Sequence, residues 1–155
     1  MKFLVLGCNG MAGHMISLQL SAAGHDVTGF ARKKSPFVET VVGDVHNENL
    51  LRETISGGKF DALVNCVGVL NQSAEKNQKE AVYLNSFLPH FIADVTASMS
   101  TQIIQMSTDC VFSGNRGGYC EYDLKDGETF YDRSKALGEL DDEKNVTVRS
   151  SIVGP

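Results

Sequence analysis

Tryptophan is absent from this 155-residue sequence, and proline and cysteine are scarce, at 3 and 4 residues. No apolar run approaches the roughly 20 residues needed to cross a bilayer. The apolar start covers only Phe3 to Leu6, short of the roughly 7–15 residues of a signal-peptide core. No block of like charge exceeds Arg32-Lys33-Lys34, so neither a nucleic-acid groove nor a polybasic membrane anchor has support. Cys8, Cys66, Cys110 and Cys120 form no C-x-x-C pair and lie at no metal-ligand spacing from a histidine. The first three end apolar runs, where buried thiols belong, and a reducing cytoplasm is the expected compartment.

Apolar residue is present in quantity, at 42%, with a net charge of −5 from 14 basic and 19 acidic side chains. At this length that composition predicts one globular domain with a sizeable core. The pattern along the chain alternates. Short apolar runs predict strands over 2–6, 26–31, 38–42, 61–67, 102–106 and 145–153. Between them, helical spacing predicts helices over 11–23, with Gly24 to end it, over 48–56, closed by Gly57-Gly58, and over about 75–98 and 131–140. The stretch from Ser113 to Glu128, rich in glycine and acidic residues, reads as a surface loop. Strands alternating with helices imply a parallel sheet covered on both faces, a doubly wound α/β domain.

Gly7-Cys8-Asn9-Gly10-Met11-Ala12-Gly13 gives G-x-x-G-x-x-G at the first strand-to-helix junction. Glycine permits the tight turn, close approach to a pyrophosphate, and close packing of helix on sheet, while the helix amino terminus offers free N–H groups to the anion. After the second strand, NAD-binding domains usually carry a carboxylate for the ribose hydroxyls. Here Ala31 is followed by Arg32, Lys33 and Lys34, cations suited to a 2′-phosphate. NADP(H) is the expected cofactor, with NAD(H) as the alternative.

Tyr131-Asp-Arg-Ser-Lys135 puts a phenol and an ammonium on one helix face. A lysine charge about 5 Å from the phenol, at an effective dielectric of about 20, is worth roughly 3 kcal/mol. That lowers the phenol pKa from near 10 by about two, into the range useful for acid–base chemistry. An ordinary exposed helical pair has the same spacing, so the neighbours give the pattern its weight. Ser107 and Thr108 sit at the carboxyl end of the fifth strand, where open α/β sheets bind ligands. Their hydroxyls can bond a substrate carbonyl oxygen or cap a turn. Gly68, ending the fourth strand, allows close approach to a cofactor. Pro89 cannot donate to the Asn85 carbonyl, which predicts a kink and a carbonyl free to hold a water.

Gly7-Gly10-Gly13, Gly43-Asp44, Asn65-Cys-Val-Gly68, Ser107-Thr-Asp-Cys-Val-Phe-Ser-Gly114, Glu121 with Asp123, and Tyr131-x-x-x-Lys135 together resemble the extended short-chain dehydrogenase/reductases, specifically the dTDP-4-dehydrorhamnose reductase group. The Ser-Thr-Asp-x-Val-Phe-x-Gly segment is the specific part. The resemblance implies a Rossmann-type fold and hydride transfer from NADPH to a 4-keto nucleotide sugar, in polysaccharide biosynthesis. It implies that Tyr131 donates the proton, Lys135 binds the nicotinamide ribose, and Thr108, or else Ser107, bonds the reacting oxygen. Asn85 would hold a relay water and Asp44 would meet the adenine amino group. Cofactor contacts are expected from Gly7, Asn9, Gly10, Met11, Gly13, Arg32, Asp44, Val45, Cys66, Val67 and Gly68, besides Tyr131 and Lys135. A nucleotide-sugar substrate is the expected partner, and the family often self-associates into homo-oligomers.

Three departures from the family pattern stand out. Met15 occupies the position of a metal-contacting glutamate, so no magnesium site is expected. Glu128-Thr-Phe before Tyr131 and Asp132 after it replace the usual proline and glycine. Family members also continue past Pro155 into a lobe that builds most of the sugar site, so residues 1–155 are expected to hold the cofactor domain and catalytic pair without most of that lobe. An NAD-dependent epimerase or dehydratase, and a non-catalytic NADP-binding module, are the alternative readings.

Overall fold

The computed structural model describes residues 1–151. Strands β1 (Lys2–Leu6), β2 (Asp26–Ala31), β3 (Glu39–Val42), β4 (Ala62–Asn65), β5 (Gln102–Ser107) and β6 (Val146–Arg149) form one sheet. All five pairings are parallel, in the order β3-β2-β1-β4-β5-β6. The order reverses direction at β1, so the crevice above the carboxyl ends of β1 and β4 is the natural ligand position. The expected end of the sixth strand, at Val153, lies outside the described residues.

Successive side chains of β1 point to opposite faces, and each face has its own core. Leu4 and Leu6 pack with Phe30, Leu63 and Ile103 against Leu51 and Ile55 of helix α2 (Glu48–Gly58). Phe3 and Val5 pack with Val27 and Val64 against Ile16 and Leu20 of helix α1 (Met11–Ala22). A strand buried on both sides requires the continuous apolar run seen in the sequence. Gly24 lies just beyond α1 at φ +81°, as predicted for a helix end. Helix α2 instead runs through both glycines, and Lys59 takes the left-handed position at φ 49°.

The predicted long helix over 75–98 is in fact broken and begins earlier. Helix α3 (Asn71–Lys76) stops at Asn77, whose side chain caps the short α4 (Gln78–Ala81). A π-helical turn (Val82–Phe87) then leads into α5 (Leu88–Thr96). Pro89 supplies the cause: it has no N–H for the Asn85 carbonyl and its ring crowds that oxygen, so the helix widens. The carbonyl is not left open for water as expected. Gly138 presses against it so closely that a Cβ there would sit 1.8 Å from the oxygen.

Helix α6 (Phe130–Leu137) begins where proline and glycine were missing. Thr129 and Asp132 replace them with a capping box, in which Asp132 N–H donates to Thr129 Oγ1 at 3.1 Å and Thr129 N–H to Asp132 Oδ2 at 3.0 Å. Thr129→Ala therefore lowers stability by about 1 kcal/mol in urea denaturation; an unchanged midpoint would show that the box carries nothing. Among the described residues no helix is long and apolar enough to cross a membrane.

Candidate active site

A cavity of about 810 Å³ opens above the carboxyl ends of β1, β2 and β4. Its floor is the first turn. Gly7 adopts φ +75° and its carbonyl accepts from Gly10 N–H at 2.8 Å. The first intrahelical bond of α1 runs from His14 N–H to Gly10, and Gly10 offers no side-chain cap. The N–H groups of Met11 and Ala12 precede any intrahelical acceptor, leaving a helix end built for an anion. Gly7, Asn9 and Gly10 line the cavity; Met11 and Gly13 do not. Met11 is exposed on the first turn, and Gly13 lies beneath it, where a Cβ would stand 2.2 Å from the Gly7 carbonyl oxygen.

Arg32 and Lys33 line the far wall, and Asn9 Nδ2 donates to the Lys33 carbonyl at 2.7 Å, tying the glycine turn to the basic one. Asp44 and Val45 form the rim. Asp44 Oδ1 accepts from His46 N–H at 3.0 Å and lies 2.6 Å from His46 Nδ1. These bonds hold its carboxyl below the usual range. His46 was not singled out in the sequence, yet it lines the cavity, reaches Glu80 at 3.1 Å and stacks on Tyr83 with ring centroids 4.4 Å apart. Its bond to Asp44 raises its pKa. The uncapped helix end, the paired cations and the acidic rim fit a dinucleotide with an added phosphate.

Cys66, Val67 and Gly68 line the wall after β4. Burial pushes the Cys66 thiol up to about 12, so it serves as inert packing. A methyl built on Gly68 would fall 2.9 Å from Asn85 Oδ1 and 3.9 Å from Lys135 Nζ, which joins the cavity to helix α6. The Asn85 side chain is a clamp: Oδ1 accepts from Val69 N–H, and Nδ2 donates to the Val69 carbonyl and Ser134 Oγ, all within 3.0 Å.

Tyr131 and Lys135 sit on α6 and are both buried. The expected lowering of the phenol pKa is not what this structure gives. Burial raises it, with the neighbouring Thr108 side chain pulling the other way. Lys135 Nζ donates to the Met106 carbonyl at 2.6 Å, and burial brings its own pKa down to about 8, with the Glu139 carboxylate opposing. Desolvation is the largest effect on both groups, and the charges that act on Lys135 are those of Glu139 and Cys66.

Thr108 and Ser107 part company. Thr108 Oγ1 caps the following turn through Cys110 N–H at 3.2 Å, donates to the exposed Asp109 carboxylate in a long 3.3 Å bond, and stays beside Tyr131. Ser107 gives its proton to the buried Glu139 carboxylate in a short 2.7 Å bond, which holds it away from a substrate oxygen more firmly than the 3.3 Å bond holds Thr108. Cys110 is exposed, not buried, because it sits on that outward turn; Cys8 is buried, and all four thiols are free. A second cavity, about 570 Å³, opens beside the start of α6, lined by Phe112, Cys110, Thr129 and Asp132.

Glu139 is the residue that sequence reasoning missed. Burial alone raises its pKa, but hydrogen bonds from Arg149, Lys125 and Ser107 take it from 4.5 down to about 2. Because the folded value lies below the unfolded one, its contribution to stability is complete above about pH 4.5 and is lost as pH falls toward about 2. Urea midpoints will fall more steeply over that range for the native protein than for Glu139→Gln; parallel curves would contradict the assignment.

Comparison with known proteins adds a family match: the family described as RmlD substrate binding domain covers residues 1–153. The spore coat polysaccharide biosynthesis protein SpsK of Bacillus subtilis (strain 168) is 27% identical over 158 residues, covering 98% of this chain and 53% of that protein. The solved structure of a hypothetical dTDP-4-dehydrorhamnose reductase from Sulfolobus tokodaii superposes with a TM-score of 0.84 at 26% identity, covering 96% of this chain and 55% of that one. A dTDP-4-dehydrorhamnose reductase from Bacillus anthracis (strain Ames), solved in complex with NADP, shares the fold with a TM-score of 0.81 at 23% identity, over 96% of this chain and 52% of that one. The chain spans about half the length of the curated relatives it matches.

Proposed function

The chain belongs to the RmlD substrate binding domain family, and from that premise we propose that it supplies the cofactor-binding and proton-donating part of a reductase acting on a nucleotide-linked 4-keto sugar. The described residues carry the dinucleotide cavity together with the catalytic tyrosine and lysine. The observation that carries the reading is one juxtaposition. The Tyr131–Thr108 pair stands at the end of β5, and Lys135 on the same helix reaches the Gly68 wall of the dinucleotide cavity.

When bound, NADPH supplies a hydride. Tyr131 hands its phenolic proton to the keto oxygen as that oxygen gains charge, and Thr108 Oγ1 turns its proton from Asp109 Oδ1, 3.3 Å away, to donate to the same oxygen. Lys135, held near the Gly68 wall, binds the nicotinamide ribose hydroxyls and supports the tyrosine anion once the proton has left. The raised phenol pKa of the free protein suits a group that enters the reaction protonated. Arg32 and Lys33 receive the 2′-phosphate, and the Met11 and Ala12 N–H groups receive the pyrophosphate. Asp44, which meets His46 through Oδ1, receives the adenine amino group. Four free thiols suit a reducing compartment.

The test is to mix the protein with NADPH and dTDP-4-dehydrorhamnose and follow NADPH absorbance and the sugar nucleotide together. Stoichiometric oxidation with formation of the 4-hydroxy sugar is expected. NADPH that binds but is consumed by no 4-keto sugar nucleotide would contradict the proposal. Arg32→Ala is expected to weaken NADPH binding about 10- to 100-fold and NADH binding by less than about threefold. Equal losses for both would remove the 2′-phosphate assignment.

A further inference from the structure

Glu139 lies just past the end of α6, eight residues after Tyr131 and four after Lys135. The three side chains, spaced by four, address the last two residues of β5 and the one that follows it. Lys135 Nζ bonds the Met106 carbonyl, Glu139 Oε1 accepts from Ser107 Oγ, and Tyr131 lies beside Thr108. The Glu139 side chain is only 2% exposed. Oε1 also accepts from Arg149 Nε at 2.8 Å, while Oε2 accepts from Arg149 Nη2 at 2.8 Å and pairs with Lys125 Nζ at 2.8 Å. Four donors fill a carboxylate that holds four lone-pair positions, and the guanidinium takes it in bidentate fashion.

The donors come from separate parts of the chain. Ser107 ends β5, Lys125 belongs to the loop over 113–128, and Arg149 ends β6 beside Ser107 in register. Arg149 extends the network further, donating to the Glu121 carbonyl at 3.0 Å and lying 4.9 Å over the Phe112 ring. Phe112 in turn lines the second cavity. One buried anion thus holds the strand end that carries Thr108, the loop that flanks the second cavity, and the tail of the helix that carries the tyrosine.

We propose that Glu139 is a positioning residue of the active site, fixing the end of β5 through Ser107 so that Thr108 faces Tyr131 and the Met106 carbonyl faces Lys135. This rests on the reductase reading for its catalytic consequence but not for its geometry. Burial of an ion pair is weak evidence of a gain in stability; what the network supplies here is one arrangement of three elements around the phenol. The negative charge also favours the ammonium form of Lys135.

Glu139→Gln keeps the shape but turns an amide toward cations, and Ser107→Ala removes a single donor while three remain on the carboxylate. Lysine and tyrosine side chains and the Thr108 methyl are followed by NMR, alongside calorimetric NADPH titration. In Glu139→Gln, Lys135 is expected to titrate below its position near 8, and the Tyr131 and Thr108 resonances to move. In Ser107→Ala the carboxylate charge remains, so the Tyr131 and Thr108 resonances move while the Lys135 titration, coupled through the Met106 carbonyl, shifts less than in Glu139→Gln. Where turnover is measured, kcat falls about 10- to 100-fold in both variants while KM for NADPH changes little. Folded variants with native Tyr131 and Thr108 resonances would overturn the proposal, and Ser107→Ala decides it alone if Glu139→Gln does not fold. A native protein that binds no NADPH would defeat the reductase reading yet leave these titrations decisive.

Discussion

Tyr131→Phe is expected to lower keto-sugar reduction by about 10²- to 10⁴-fold while NADPH affinity stays within about twofold. The ring is buried among Ala74, Ala81, Val69 and Phe130, and phenylalanine fills the same space. What leaves is one hydroxyl, placed beside Thr108 at the end of β5. Tyr131 does not line the dinucleotide cavity, so binding has little to lose. Steady-state kinetics with calorimetry on the same sample separates the two effects. Loss of binding together with turnover would mean that the phenol supports the cavity wall rather than the proton transfer. Turnover that persists would remove Tyr131 from the chemistry.

Gly13→Val is the second large effect, and it strikes the fold and the cavity together. A Cβ at Gly13 would lie 2.2 Å from the Gly7 carbonyl oxygen, 2.8 Å from its carbon and 3.1 Å from Cys8 Cα. All three are backbone atoms of the turn that lets α1 cross β1, so no side chain can move aside. Ser17 Oγ donates to the Gly13 carbonyl at 2.7 Å, tying the next turn of α1 to this point. The expected loss is about 3 kcal/mol or more of stability, with NADPH binding weakened more than about 100-fold. Gly24→Ala is the control. Nothing lies within 4 Å of the added methyl, and only the φ of +81° opposes it, so its loss stays near 1 kcal/mol. Similar denaturation midpoints for the two variants would show that the close approach at Gly13 is not what the turn requires.

Local signals in the sequence were readable, and signals between distant residues were not. β1 and β2 fall where the apolar run and its neighbour predict, because a strand buried on both faces leaves little choice of residue. The glycine spacing located the cavity floor, and Pro89 located the irregular helix. The form of that irregularity depended on Gly138, some fifty positions away, whose close seating on the Asn85 carbonyl no window around Pro89 contains. The Tyr131–Lys135 spacing puts both residues on α6 but misleads as electrostatics, since it carries no information on how deeply both groups are buried. Ser107 looked like a ligand donor because its partner Glu139 lies beyond α6. Glu139 itself passed unnoticed because its donors at positions 107, 125 and 149 share no local pattern. The missing proline and glycine around Tyr131 proved to be an alternative helix start, legible as Thr129-x-x-Asp132 once the helix was placed.

In the proposed function the cavity above β1, β2 and β4 receives a phosphorylated dinucleotide through the glycine turn and the Arg32 wall. Calorimetric titration of this 155-residue chain with NADPH and with NADH, at matched salt, addresses it most directly. Both cofactors are expected to bind, with NADPH tighter by about tenfold or more. A folded sample that binds neither, or binds NADH the more tightly, would contradict it.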